Sequence, residues 1–170
     1  MKILVTGARG FIGENLITEL KNRKYTDVFE YDIDTDPSLL GTYCKEADFV
    51  FHLTGVNRPK EQSEFMKGNF GFTSILLDAL KKRSNTCPVM ISSSTQADLD
   101  NPYGKSKKAG EDSMFNYGET GAKVLIYRFS NVFGKWCRPN YNSAVATFCN
   151  YIANDLPINV NDHSGVMNLV

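Results

Sequence analysis

The sequence predicts an α/β fold: a doubly wound parallel sheet covered by helices on both faces, three layers in all. Three observations predict it. Short apolar runs alternate along the chain with longer segments of helical periodicity. Two of those runs, Phe49-Val50-Phe51 and Val89-Met90-Ile91, are continuously apolar, as strands buried on both faces of a parallel sheet are. The first run, Ile3-Leu4-Val5, passes directly into a glycine-rich turn and then into a segment of helical spacing.

The elements follow in order. Strands are read at 2–6, 27–32, 48–53, 88–93 and 123–128, and helices at 11–23, 62–83, 102–120 and 142–154. The first helix carries Phe11-Ile12, Leu16-Ile17 and Leu20 at helical spacing. The second strand, Val28-Phe29-Glu30-Tyr31, ends in an acid, Asp32, 19 residues after Gly13. The helix from 102 begins with Asn101 as N-cap and Pro102 at the first helical position. Short loops between strands and helices imply right-handed crossovers. After Pro157 come Ile158-Asn159-Val160, a polar turn, and Met167-Asn168-Leu169-Val170, which read as a strand being entered. The expectation is one domain over residues 1–170, cut from a longer natural chain before a substrate-binding part; an ordinary frayed terminus is the alternative.

Bulk properties narrow the function. A chain of 170 residues is long enough for one domain with a real core. Its formal net charge is zero, so no basic excess points to a nucleic-acid partner. No run approaches the ~18 apolar residues of a membrane span. The chain enters its first strand after a single Lys2, without the pattern of a signal peptide. Cys44, Cys87, Cys137 and Cys149 are scattered without a CxxC pair, which reads as reduced, mostly buried thiols in a cytoplasmic protein. His52 and His163, far apart, make a zinc site unexpected.

Gly7-Ala8-Arg9-Gly10-Phe11-Ile12-Gly13 is the first chemical signal. A phosphate ester at this turn would sit on backbone N–H groups and on the positive end of the helix dipole. A side chain at the turn would hold a pyrophosphate off the backbone, and one at Gly13 would push the helix off the sheet. The spacing is GxxGxxG rather than GxGxxG, so a glycine-rich loop without a ligand is the alternative. The preceding strand, the following helix and Asp32 favour a dinucleotide.

Tyr103-Gly104-Lys105-Ser106-Lys107 is the second. Tyr103 and Lys107 stand at i and i+4, on one face of one helix. Bringing a phenol from a pKa of ~10 to ~7 requires about 4 kcal/mol of differential interaction. A cation ~5 Å away at an effective dielectric of ~20 supplies roughly 3 kcal/mol. Ser92-Ser93-Ser94-Thr95 closes the fourth strand, at the end where such sheets bind ligands. Hydroxyls there can donate to a substrate oxygen; a turn that uses serines to satisfy loose backbone groups is the alternative.

Six ordered segments carry a resemblance: Thr6 to Gly13, Asp48 through His52-Leu53-Thr54-Gly55, Gly68-Asn69-Phe70-Gly71, Ser92 to Thr95, Tyr103 to Lys107, and Arg128-Phe129-Ser130-Asn131-Val132-Phe133-Gly134. Together they resemble the extended short-chain dehydrogenase/reductases, the group of nucleotide-sugar epimerases, dehydratases and reductases. Gly55-Val56-Asn57-Arg58-Pro59, Ser93 to Ala97 and Phe133 to Asn142 resemble, more narrowly, the capsular-polysaccharide UDP-sugar reductases, whose reductase domain precedes a cupin domain.

The resemblance implies a Rossmann domain and reduction of a 4-keto UDP-N-acetyl sugar in surface polysaccharide biosynthesis. Tyr103 would be the general acid, Lys107 would lower its pKa and bind the nicotinamide ribose, and Ser94, before Ser93 or Thr95, would orient the keto oxygen. Gly7, Arg9, Gly10, Phe11, Ile12, Gly13, Asp32, Leu53, Thr54, Gly55 and Asn69 would line the cofactor. Asn131 would lie near the sugar, with Arg58, Lys135 or Arg138 meeting the diphosphate or standing solvated on the surface. Asp32 favours NAD, whereas Arg9 and the narrower resemblance favour NADP, so the cofactor is read as NAD or NADP. Thr95-Gln96 stands where the 4,6-dehydratases carry an Asp-Glu pair, which counts against dehydration. A 4-epimerase with bound NAD needs the same Ser, Tyr and Lys, and a non-catalytic nucleotide-binding domain would lack the tyrosine. A homodimer through helices beside the Tyr-Lys helix is an implied assembly.

Overall fold

The computed structural model describes residues 1–160 and 162–170. The chain divides into two compact units, Met1–Arg128 and Phe129–Val170. The sheet has five strands in the order β2-β1-β3-β4-β5, with β1 (Ile3–Thr6), β2 (Val28–Tyr31), β3 (Phe49–His52), β4 (Val89–Ser94) and β5 (Val124–Phe129). β1 pairs in parallel with both neighbours, Ile3 opposite Val28 on one side and Phe49 on the other. Val50 lies opposite Val89, so β3 and β4 are parallel as well.

The alternation of side chains along a strand builds two cores. Leu4 and Val50 point to one face and join Leu40 and Cys44 of α2 (Leu39–Glu46), Leu76, Leu77 and Leu80 of α4 (Phe72–Lys82), and Met114 and Tyr117 of α5 (Pro102–Gly118). Ile3 and Val5 point to the other face and meet Ile17 and Leu20 of α1 (Phe11–Asn22). Each of these large side chains contributes about 1.5–3 kcal/mol by leaving water. Helices on both faces of a parallel sheet are the three layers expected.

Three features differ from the sequence reading. The first is α2, within a stretch read without a helix. Only Leu40 and Cys44 of its eight residues are buried, so its apolar stripe is two residues long. Tertiary contacts hold it: Tyr43 stacks on Phe29 at 4.7 Å, and the Asn85 side-chain amide donates to the carbonyls of Cys44 and Ala47 at 2.7 and 2.8 Å.

The second is the helix read at 62–83. It consists of a short α3 (Ser63–Phe65), a π-helical turn over Met66–Gly71, and α4. The wider turn goes with a buried Asn69, whose side chain clamps the backbone of Val56 from both sides: it accepts from Val56 N at 2.8 Å and donates to Val56 O at 3.1 Å. Such turns are frequent at functional sites.

The third concerns the thiols. Cys44 and Cys87 are buried, and burial pushes them up to about 12 and about 11, so both are inert. Cys137 is half-buried and Cys149 exposed, so half of the thiols are buried rather than most.

In the second unit, α6 (Ala144–Ala153) starts at Ser143, whose hydroxyl accepts from Ala146 N at 3.3 Å. The expected strand entry at 167–170 forms a single parallel bridge, Asn131 with Leu169. Asn131 N donates to Asn168 O at 3.2 Å and Val170 N to Asn131 O at 3.1 Å. Of the polar turn read between Val160 and Met167, Asn161 lies outside the described residues.

Candidate active site

The glycine turn links β1 to α1. Gly7 has a φ of +70°, and a Cβ there would stand 2.8 Å from Thr54 N. A Cβ at Gly13 would stand 2.2 Å from Gly7 O and 2.8 Å from Ala8 O, all backbone, so α1 could not hold its place. Among the described residues no side chain caps α1 at Gly10. Phe11 and Ile12 open the helix, half-buried. A bare turn ending in an uncapped helix N-terminus is a cradle that fits a diphosphate. Leu53, Thr54 and Gly55 leave β3 beside it; Leu53 N donates to Thr6 O at 3.0 Å.

Asp32 follows β2 and is turned toward the glycine turn. Its carboxylate accepts from Arg9 N and from Ile33 N, both at 2.7 Å. The Arg9 guanidinium forms an ion pair with Asp34. Asp32 thus ties the end of β2 to the glycine turn, and the charge of Arg9 is already matched by an acid.

At the opposite end of the site, α5 begins as the sequence reading expects. Asn101 accepts from Gly104 N at 2.7 Å, and Pro102 takes the first position. Tyr103 is half-buried, its ring edge-on to Phe65 at 5.6 Å. Lys107 is buried; its Nζ lies 5.8 Å from the Tyr103 ring centroid and donates to Ser92 O at 3.1 Å. Gly55 passes so close that a Cβ there would stand 2.9 Å from Lys107 Nζ and 3.0 Å from Asn69 Oδ1. Ser94, Tyr103, Lys107, Asn69 and Gly55 are therefore brought together.

The electrostatics differ from the simple Tyr-Lys expectation. Burial raises the Tyr103 phenol above its ordinary value, and a hydrogen bond with the Ser94 hydroxyl opposes that rise. Burial pushes the Lys107 ammonium down to about 8. The shift is upward rather than toward neutrality, so the phenol is the protonated form at neutral pH.

The three candidate hydroxyls separate by their partners. Ser93 Oγ donates to Glu111 Oε1 at 2.5 Å, and Thr95 is exposed. Ser94 Oγ accepts from Gln96 N at 3.2 Å, capping a short 3-10 helix over Thr95–Asp98, and meets Tyr103.

Residues the sequence reading passed over support the site. Thr73 Oγ1 donates to Asn69 O at 2.5 Å, so it accepts from His52 Nε2–H at 2.8 Å, and His52 Nδ1 accepts from Thr6 Oγ1 at 2.7 Å. His52 is neutral: burial pushes it down to about 3. Asn69 Nδ2 also donates to Ser106 Oγ at 2.9 Å. Glu111, eight residues after Tyr103 on the same helix, is buried and accepts from Arg128 Nε and Nη2 at 2.8 and 2.7 Å. Its spacing from Tyr103 and Lys107 was the available signal.

Of the remaining candidates, Arg58 is exposed on the loop after Gly55. Asn131, Lys135 and Arg138 are exposed in the second unit, with Lys135 Nζ 4.4 Å from the Trp136 ring centroid. Among the described residues no group of three or more His, Cys, Asp or Glu could hold a metal ion, and no helix is long and apolar enough to cross a membrane.

A parallel sheet with a bare glycine turn at its first crossover, and a serine, tyrosine and lysine at the end of its fourth strand, defines a Rossmann-type domain of the NAD-dependent enzymes. Residues 3–164 match the profile of the NAD dependent epimerase/dehydratase family, and the chain belongs to that family. It is 46% identical over 171 aligned residues to the UDP-2-acetamido-2,6-beta-L-arabino-hexul-4-ose reductase of Pseudomonas aeruginosa, covering all of this chain and 46% of that one. It superposes on the capsular polysaccharide assembling protein CapF from Staphylococcus aureus with a TM-score of 0.88 at 44% identity, covering all of this chain and 46% of that one. MoeE5 in complex with UDP-glucose and NAD superposes with a TM-score of 0.72 at 25% identity, covering 89% of this chain and 60% of that one. The chain thus spans about half the length of the first two relatives.

Proposed function

We propose that this chain is the dinucleotide-binding and proton-donating part of an NAD(P)H-dependent reductase. Its substrate is a 4-keto nucleotide sugar of the UDP-N-acetyl-deoxyhexose type, used to build a surface polysaccharide. The observation that carries this is the Tyr103 phenol set beside Ser94 with the Lys107 Nζ 5.8 Å from its ring centroid. A ketone reduced to an alcohol needs a proton at its oxygen, and a protonated phenol is the form that can give one. The likeness to the P. aeruginosa reductase supports the substrate class.

The chain's residues divide the work. The turn from Gly7 to Gly13 and the N-terminus of α1 hold the diphosphate on backbone N–H groups. Asp32 steadies that turn through Arg9 N. Leu53, Thr54 and Gly55 line the path toward Lys107. When bound, the reduced dinucleotide supplies the hydride. Ser94 donates to the keto oxygen and orients it; Tyr103 gives that oxygen its proton. The Lys107 ammonium, held by Ser92 O, stabilises the phenolate left behind. Asn69 keeps the loop at Val56 and the helix at Ser106 in register with Gly55.

The acid nearest in sequence to the catalytic hydroxyl, Asp98, is paired with Arg128, which leaves it poorly placed for the proton removals of a dehydratase. The second reading, a 4-epimerase that retains its NAD, is favoured by the same Ser94, Tyr103 and Lys107 constellation. Nicotinamide absorbance separates them: a reductase consumes one NAD(P)H per sugar reduced, whereas an epimerase shows no net change. Turnover with NADH and NADPH at equal concentration identifies the cofactor.

A further inference from the structure

Ser94 is gripped on both sides by one ion pair, a buried Glu111 carboxylate and a more exposed Arg128 guanidinium. Glu111 carries its carboxylate into the interior at 1% exposure and accepts three bonds there. Two come from Arg128 and one from Ser93 Oγ, the residue just before Ser94. The third guanidinium nitrogen of Arg128, Nη1, is bonded to Asp98, which closes the 3-10 helix that Ser94 caps. The pair therefore holds the chain at Ser93, through the carboxylate, and at Asp98, through the guanidinium. Between these points lies the hydroxyl that meets Tyr103. Glu111 also lies one helical turn beyond Lys107, so the grip is anchored on the helix that carries the proton donor.

We propose that Glu111 and Arg128 are positioning residues that fix Ser94 against Tyr103, acting through Ser93 on one side and Asp98 on the other. The inference rests on Tyr103 being the proton donor of the reaction proposed above. A buried carboxylate with two guanidinium bonds would satisfy charge alone; the added Ser93 and Asp98 bonds are what tie the pair to the catalytic segment.

The test removes the two grips while leaving the pair in place. Ser93→Ala deletes the hydroxyl bond, and Asp98→Ala deletes the acceptor of Arg128 Nη1 at an exposed position, so neither removes a partner of the Glu111–Arg128 salt bridge. Tyrosine ring-carbon NMR reports the titration of Tyr103, assigned by its loss in Tyr103→Phe. Losing the Ser94 hydrogen bond removes what opposes the burial shift. Each variant should move the Tyr103 titration upward, and the double variant further than either single one, with Tyr117 unmoved. Glu19→Ala, which removes only the exposed partner of Arg23 on α1, should change nothing. An unchanged Tyr103 titration in the folded double variant, or an equal shift of Tyr103 and Tyr117, would overturn the proposal. The expected shift in a protein that reduces no 4-keto sugar would still support the positioning role, and the reductase reading alone would fail.

Discussion

A Cβ placed on Gly104 would stand 2.3 Å from Gln96 O and 2.6 Å from Leu99 O. Gly104 lies between Tyr103 and Lys107, so Gly104→Ala probes how tightly their helix must sit. Alanine in place of a helical glycine gains about 1 kcal/mol in backbone propensity. Against that stand two carbonyls in a tight turn; Gln96 O itself accepts from Leu99 N at 2.9 Å. Neither can swing aside as a side-chain tip can. Ordinary contact begins near 3.4 Å, so the start of α5 and the 3-10 helix must part by about 1 Å. Overpacking of this kind costs about 1–3 kcal/mol, which outweighs the propensity gain. The same displacement separates Tyr103 from Ser94, and a shift of ~1 Å in a reacting group lowers turnover on the order of a hundredfold. Urea unfolding and NAD(P)H oxidation measure the two effects. The expected result is a less stable protein with turnover strongly reduced and dinucleotide affinity nearly kept. A variant stabilised by about 1 kcal/mol with full turnover would refute the reasoning.

Three further outcomes follow from the same geometry. Lys107 titrates near 8 in the fold and at 10.5 in a free chain, so the unfolded state holds the extra proton between those values. Stability should rise with pH across that window by up to ~1.4 kcal/mol per unit, and Lys107→Met should flatten this rise; parallel stability curves for the two proteins would contradict it. His52 is pushed down from 6.5 to about 3, so stability present above 6.5 should be lost as the pH falls through that range. His52→Gln should lose the acid-side slope in the same unfolding measurement, and a slope that persisted would assign it to other groups. Asp34→Ala releases the Arg9 guanidinium from an exposed ion pair worth roughly 0–1 kcal/mol, so the affinity ratio of NADPH to NADH should rise by no more than about fivefold, read by dinucleotide titration. A fall in that ratio would place Arg9 away from the ribose 2′ position.

The inner strands were legible because each is a short apolar run that packs on both faces, as Val50 and Val89 do. The start of α5 was legible because Asn101 and Pro102 act locally. What escaped is held by distant partners. α2 depends on Asn85 and Phe29 rather than on its own periodicity. The π-helical turn goes with the clamp of Asn69 on Val56, 13 residues earlier. In the site, Tyr103 and Lys107 follow from a spacing of four, but the choice among Ser93, Ser94 and Thr95 does not. It depends on Glu111, whose burial needs Arg128 from another strand. The expected lowering of the phenol did not follow because burial, invisible in spacing, raises Tyr103 and lowers Lys107.

Tyr103→Phe removes one oxygen from the site and leaves the dinucleotide cradle untouched. Measured side by side, reduction of a 4-keto UDP-sugar should disappear in this variant while its affinity for NAD(P)H stays within about twofold of the unaltered protein. Turnover that survives the substitution, or affinity lost in equal measure, would contradict the assignment of Tyr103 as proton donor.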